Sequence, residues 1–158
     1  MAFTLNDLTI NPERVNLDAL LHDWTWAMPE PLHPVLLTAL GDVFAQGKSR
    51  AVFFIDTIEG SITKVAEEGA AFQSMLDDTQ FVNDHFFPSR IAELRDAEIF
   101  LYPQQVYSHQ KPLVLGGVDD IDNIEVTDVA VHLSILGQIH RQVKEFPNGA
   151  PITDIIIE

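Results

Sequence analysis

Apolar and polar positions alternate most clearly between residues 51 and 66. Ala51 to Asp56 (AVFFID) is a short run of aromatic and β-branched residues, a composition that favours a strand. Ser61 to Ala66 (SITKVA) alternates more evenly and reads as a half-exposed return strand. Thr57-Ile58-Glu59-Gly60 lies between them, and Gly60 suits the left-handed position of a hairpin loop with a bulge. The preceding stretch, Pro34 to Gln46, is ambiguous. Leu36, Leu37, Leu40 and Phe44 would suit one helix face, but Gly41 interrupts it and a strand pair follows. It is read as a strand with an irregularity at Gly41. With a turn at Gly47–Arg50, the pattern predicts a three-stranded antiparallel meander.

Helical spacing dominates elsewhere. Asn16 is a candidate N-cap for Leu17, Leu20, Leu21 and Trp24, and Pro29, Pro31 and Pro34 end that helix. Phe72, Met75 and Leu76 mark a short amphipathic piece. Thr79 is a candidate cap for a helix holding Phe81, Val82, His85 and Phe86. Pro88 then breaks the chain, and Ser89 is a candidate cap for one built on Ile91 and Leu94. Glu98 to Tyr107 reads as strand or loop, and Pro112 to Leu115 as an extended segment turned by Gly116-Gly117. The last helix starts either at Asp122, through an Asp-x-x-Glu arrangement with Glu125, or at Thr127. Val129, Leu133 and Leu136 form one ridge, with Val131, Ile135 and Ile139 beside it, so this helix is buried over much of its circumference. It turns polar at Arg141, Gln142 and Lys144, the favourable charge sign near a C-terminus. Phe146-Pro147-Asn148-Gly149 ends it. The tail ITDIIIE (152–158) is a last strand or an adhesive end, which makes a homo-oligomer a candidate state.

These elements amount to an α+β fold. The expected architecture is a single compact domain over residues 1–158, an antiparallel β-meander packed with several helices including a buried C-terminal helix. A helical lead-in over 1–33 precedes it and a tail over 150–158 follows. A hydrophobic content of 46% supports a packed core despite a net charge of −15. Cysteine is absent, which removes disulfides, thiolate metal sites and thiol nucleophiles. The N-terminus lacks the basic start and apolar core of a signal peptide. No apolar run approaches the roughly 20 residues that span a bilayer. A soluble cytoplasmic protein is expected.

Charge narrows the partners. Twenty-four acids face nine Lys and Arg, which opposes direct binding to nucleic acid or to an anionic membrane. A basic protein would be attracted, and attraction accelerates encounter. From Pro112 through His140 there are five acids, Asp119, Asp120, Asp122, Glu125 and Asp128, and no Lys or Arg. They do not follow the order of a calcium-binding loop. Helix capping and a solvated loop explain them as well as a protein-binding patch does, for which Asp119, Asp120, Asp122 and Glu125 are the candidates. Gly116-Gly117 lacks the downstream Gly and Lys-Ser/Thr of a phosphate loop. His132 and His140 can share a helix face, but eight residues place them about 12 Å apart along the axis, too far to share a metal. There is no Gly-x-Ser-x-Gly elbow. Ser108 and His109 are sequence neighbours, which says little, because catalytic pairs meet through the fold. No catalytic, cofactor-binding or metal-ligating set emerges, and a non-enzymatic protein is expected.

One stretch carries a resemblance. Leu115-Gly116-Gly117, the acids after it, and NIEVTDVAVHLSILGQIH (123–140) resemble the C-terminal domain of immunity proteins that protect bacteria from type VI secretion DNase effectors. VFFIDTIEGSITKVA (52–66) with AFQSML (71–76), LLHDWTW (20–26) and LLTALGDVF (36–44) are similar to it too, so the resemblance runs from about Leu20 to Gly149. It implies a mixed α/β domain, no catalytic residues, and neutralisation of a cognate basic toxin by direct binding. Larger members of that family carry a further N-terminal domain, of which only a short N-terminal portion is expected here. Outside the family, the alternatives are a small self-associating scaffold and a hydrolase whose site leaves no motif.

Overall fold

The structure is a computed structural model that describes residues 3–146, 152 and 154–158. It is α+β. Among the described residues there are seven strands: β1 (Thr9–Ile10), β2 (Leu32–Thr38), β3 (Val43–Gly47), β4 (Val52–Asp56), β5 (Ser61–Ala66), β6 (Gln105–His109) and β7 (Ile124–Asp128). The first five form one antiparallel sheet in sequence order, and β6 and β7 form a separate antiparallel ribbon. The α-helices are α1 (Leu17–Leu20), α2 (Gly69–Met75), α3 (Thr79–Phe86), α4 (Pro88–Asp96) and α5 (Val129–Val143).

The meander is larger than the sequence pattern suggests. Residues 34–46 are two strands of a tight hairpin, with Gly41 at the turn (φ +86°) and Thr38 N–H donating to the Asp42 carbonyl across it. The irregularity lies instead between Pro34 and Leu36, where proline has no N–H to give the ladder. The second hairpin is as expected, with β4 and β5 paired and Gly60 left-handed at φ +73°.

Alternation along β3 and β4 separates two cores. Phe44, Val52 and Phe54 point into one, with Phe72, Phe86, Ile91 and Leu94 of α2 to α4. Val43, Ala45 and Ile55 point into the other, with Trp24, Val129 and Leu133. The sheet is therefore the middle layer, with α2–α4 on one face and α5 plus the N-terminal turns on the other. Trp24 is fully buried, and its indole Nε1 donates to the Leu133 carbonyl at 2.9 Å. Trp26 donates likewise to the Gly137 carbonyl at 3.2 Å. Both tryptophans are anchors of α5, since a buried indole N–H needs an acceptor.

Several element starts differ from the sequence reading by a residue or a class. The α3 cap is Asp78, not Thr79; its carboxylate accepts from Gln80 N–H at 2.8 Å and Phe81 N–H at 3.3 Å. Ser89 does not cap α4, which starts on Pro88 itself, because the first helical N–H is an orphan that proline can spare. Residues 113–115 form a 3-10 turn rather than an extended piece. Neither Asp122 nor Thr127 caps α5. The alternation of Ile124-Glu125-Val126 continues as strand β7, and Asp128 caps the helix by accepting from Ala130 N–H at 2.9 Å. Val131 of the expected apolar stripe is exposed, whereas the buried side of α5 includes His132, Gln138 and His140.

No strand forms in the described part of the tail. Instead, two α5 side chains hold its backbone. Gln142 Oε1 accepts from Ile156 N–H (2.9 Å) and its Nε2 donates to the Ile156 carbonyl (2.6 Å). Gln138 does the same for Glu158, at 2.6 and 3.1 Å. Four residues of helix rise about 6 Å and two of extended chain span nearly the same length, so the two amides match alternate residues of the tail. The expected stop at 147–149 lies outside the described residues.

Candidate functional site

The polar groups of the molecule converge where α5 crosses the two hairpin turns and β6. His132 and His140, eight residues apart on α5, do share a face. Both reach Thr57 in the β4–β5 turn: His132 Nε2 lies 3.3 Å from its hydroxyl, and His140 Nε2 lies 2.8 Å from its carbonyl. Each ring sits over a hairpin glycine. A Cβ on Gly41 would come within 2.1 Å of His132 Nε2, and one on Gly60 within 2.3 Å of His140 Nδ1. Both glycines have positive φ, so backbone conformation and ring contact each require glycine here.

Behind Thr57 lies Asp42, 2% exposed. Its Oδ1 accepts from both the Thr57 N–H and the Thr57 hydroxyl at 2.8 Å. Burial outweighs these hydrogen bonds and pushes the carboxyl up to about 7. In front, His132 Nδ1 is 2.7 Å from Ser108 Oγ on β6. Burial pulls the imidazole down to about 4, partly offset by a backbone hydrogen bond to Gly41. The Thr57 hydroxyl gives its hydrogen to Asp42, so its oxygen accepts from His132 Nε2–H, and Nδ1 accepts from the Ser108 hydroxyl. Burial also lowers His140. The result is a chain of donors running from Ser108 through His132 and Thr57 to Asp42, satisfied at each link.

A serine donating to a histidine is the first half of a nucleophile-and-base pair. Here the base is weak, because a buried imidazole that protonates only near pH 4 opposes taking the serine proton at neutral pH. A fully satisfied polar network of this kind also rigidifies the core around it.

Residues 119–125 lie at the rim. Asp119 Oδ1 is 3.3 Å from Arg90 Nη2 and 3.3 Å from His109 Nε2, bracing α4 against β6. Asp120 caps the turn at 121–123 by accepting from Asp122 N–H at 2.9 Å. Asp122 and Glu125 are exposed, the latter on β7. All four carboxylates are exposed, and Asp119 and Asp120 have structural partners as well. Among the described residues, no group of three or more His, Asp or Glu is arranged to hold a metal ion.

Arg90, Thr57 and Asp42 belong to no sequence motif, and the histidine that meets Ser108 is not its neighbour His109 but His132, 24 residues on. The available signal was the pair of turn glycines, Gly41 and Gly60, matched to two histidines at helical spacing.

Residues 66–140, just under half of the chain, match the family model described as "T6SS immunity protein Tdi1, C-terminal", the family that the sequence resembles. The matched span takes in Arg90, Ser108, Asp119, His132 and His140. No curated protein matches the sequence significantly. Among solved structures, the crystal structure of Atu4351 from Agrobacterium tumefaciens is similar, with a TM-score of 0.55 and 15% identity over 78% of this chain. At that identity the likeness shows a shared fold. This chain spans 65% of the length of that one.

Proposed function

We propose that this chain is a non-enzymatic immunity protein that binds a cognate nuclease-type effector of a type VI secretion system in the cytoplasm and blocks it through an acidic surface. The observation that carries this reading is the match of residues 66–140 to a type VI immunity family, which supports an immunity role. The finer points rest on charge. A nuclease needs a cationic surface to hold DNA, and a partner with a net charge of −15 is attracted to such a surface. No described helix is long and apolar enough to cross a membrane.

All four candidates are exposed, and Asp122 and Glu125 are the best-placed contacts because neither carboxylate is tied to a cation or to a backbone N–H. Asp119 is partly neutralised by Arg90, and Asp120 is committed to its turn. The test takes as partner a nuclease-type effector sought among the genes that neighbour this chain's. Co-expression is expected to restore growth of cells making that effector. Asp122→Asn with Glu125→Gln is expected to slow association about two- to tenfold at low salt and to flatten its salt dependence. An unchanged association rate at low salt would remove these residues from the interface. Failure of the intact chain to protect would overturn the immunity reading itself.

A further inference from the structure

Between α4, β6, the 112–115 turn and α5 there is a cavity of about 120 Å³. An apolar protein cavity of about 150 Å³ admits benzene, so this one is close to ring size. Its walls are mainly apolar and include Leu40, Phe87, Leu113, Val114 and Leu136.

Arg90 joins Thr57, Ser108, His132 and His140 in the polar part of the lining. Among the described residues, its Nη1 is buried and has no hydrogen-bond partner. The rest of the guanidinium is engaged, with Nη2 at 3.3 Å from Asp119 and Nε at 3.8 Å from Glu93. A buried donor left unmet is costly, so the site favours an occupant with an acceptor. Charge decides which acceptor. Two carboxylates already flank the one guanidinium, in a chain with a large excess of acid. A further anion would be opposed, whereas a neutral carbonyl oxygen satisfies Nη1 without adding charge.

We propose that this cavity is a binding site for small uncharged molecules that join a ring-sized apolar group to a carbonyl or amide oxygen, with that oxygen on Arg90 Nη1 and the ring between Leu113 and Leu136. The Ser108–His132 pair borders the cavity as a fixed polar wall. The site stands independently of the acidic surface and of any effector.

Benzamide is the probe, titrated into the ¹⁵N-labelled full chain and followed by amide chemical shifts. Saturable shifts are expected at Ser108, His109, Leu113 and Leu136, with a Kd of about millimolar or tighter for a ligand of this size. Benzoate, the same shape with a negative charge, is expected to bind at least about tenfold more weakly. Leu136→Phe, which fills the cavity, is expected to abolish the shifts, and Arg90→Lys to weaken binding while keeping the charge. Should Arg90→Lys unfold, Leu136→Phe and the benzoate arm still decide. No saturable shift up to about 20 mM benzamide, a Kd too weak for a built site, would overturn the proposal. So would shifts outside the cavity, equal or tighter binding of benzoate, or undiminished binding by Leu136→Phe.

Discussion

Asp42 and His132 stand on either side of one hydroxyl, Thr57, and burial moves their proton affinities in opposite directions. An acid raised from 3.8 to about 7 keeps its proton longer when folded, so its contribution to stability falls as pH rises between those values. A base lowered from 6.5 to about 4 is neutral when folded, so its contribution is lost as pH falls through that window. The two slopes oppose each other between about pH 4 and 6.5, each amounting to about 2 kcal/mol between pH 7 and pH 5. His140, lowered by burial too, adds to the histidine slope, so the native chain is expected to be somewhat less stable in urea at pH 5 than at pH 7. Asp42→Asn removes the opposing slope, and its loss of stability from pH 7 to pH 5 is expected to exceed the parent's by about 2 kcal/mol. A variant with the parent's pH dependence would contradict the assignment. At the same scale, Gly41→Ala is expected to cost about 3 kcal/mol or more, from positive φ and from displacing the His132 ring. Adding His132→Ala is expected to return part of that loss, a coupling that a double-mutant cycle in urea measures.

At the scale of elements, what the sequence shows depends on how local the cause is. The β4–β5 hairpin is legible because its alternation, turn and glycine lie within sixteen residues. The β2–β3 hairpin is not, because Leu36, Leu37, Leu40 and Phe44 serve two strands but are spaced like one helix face. Asp128 is hidden as a cap because the residues before it belong to a strand whose partner, β6, lies some twenty positions earlier. The burial of polar residues on α5 is the least legible feature. His132, Gln138 and His140 are buried by Ser108, the tail and Thr57, none of which helical periodicity can supply. The acidic candidates divide on the same ground. All four are exposed, but Arg90 holds Asp119 and a turn N–H holds Asp120, partners that composition does not reveal.

Over the whole molecule, a net charge of −15 on 158 residues places acids close enough to repel. The folded chain concentrates that charge, so self-repulsion works against compactness and mobile ions relieve it. The melting temperature is expected to rise by a few degrees between about 10 and about 200 mM NaCl. A fall over that range would mean that ion pairs, not repulsion, dominate the surface. The same salt range is expected to weaken association with a basic partner, so stability and binding should respond to ionic strength with opposite signs.

The grip of Gln138 and Gln142 on residues 156 and 158 touches only main-chain atoms, and the Ile156 side chain stays 64% exposed. A contact of this kind is blind to spelling: the tail can drift through most residue types and keep its berth, and only the imino acid is barred. Ile156→Thr is expected to leave the Glu158 amide as slow to exchange with deuterium as in the parent. Ile156→Pro, which removes one N–H from the pair, is expected to release it.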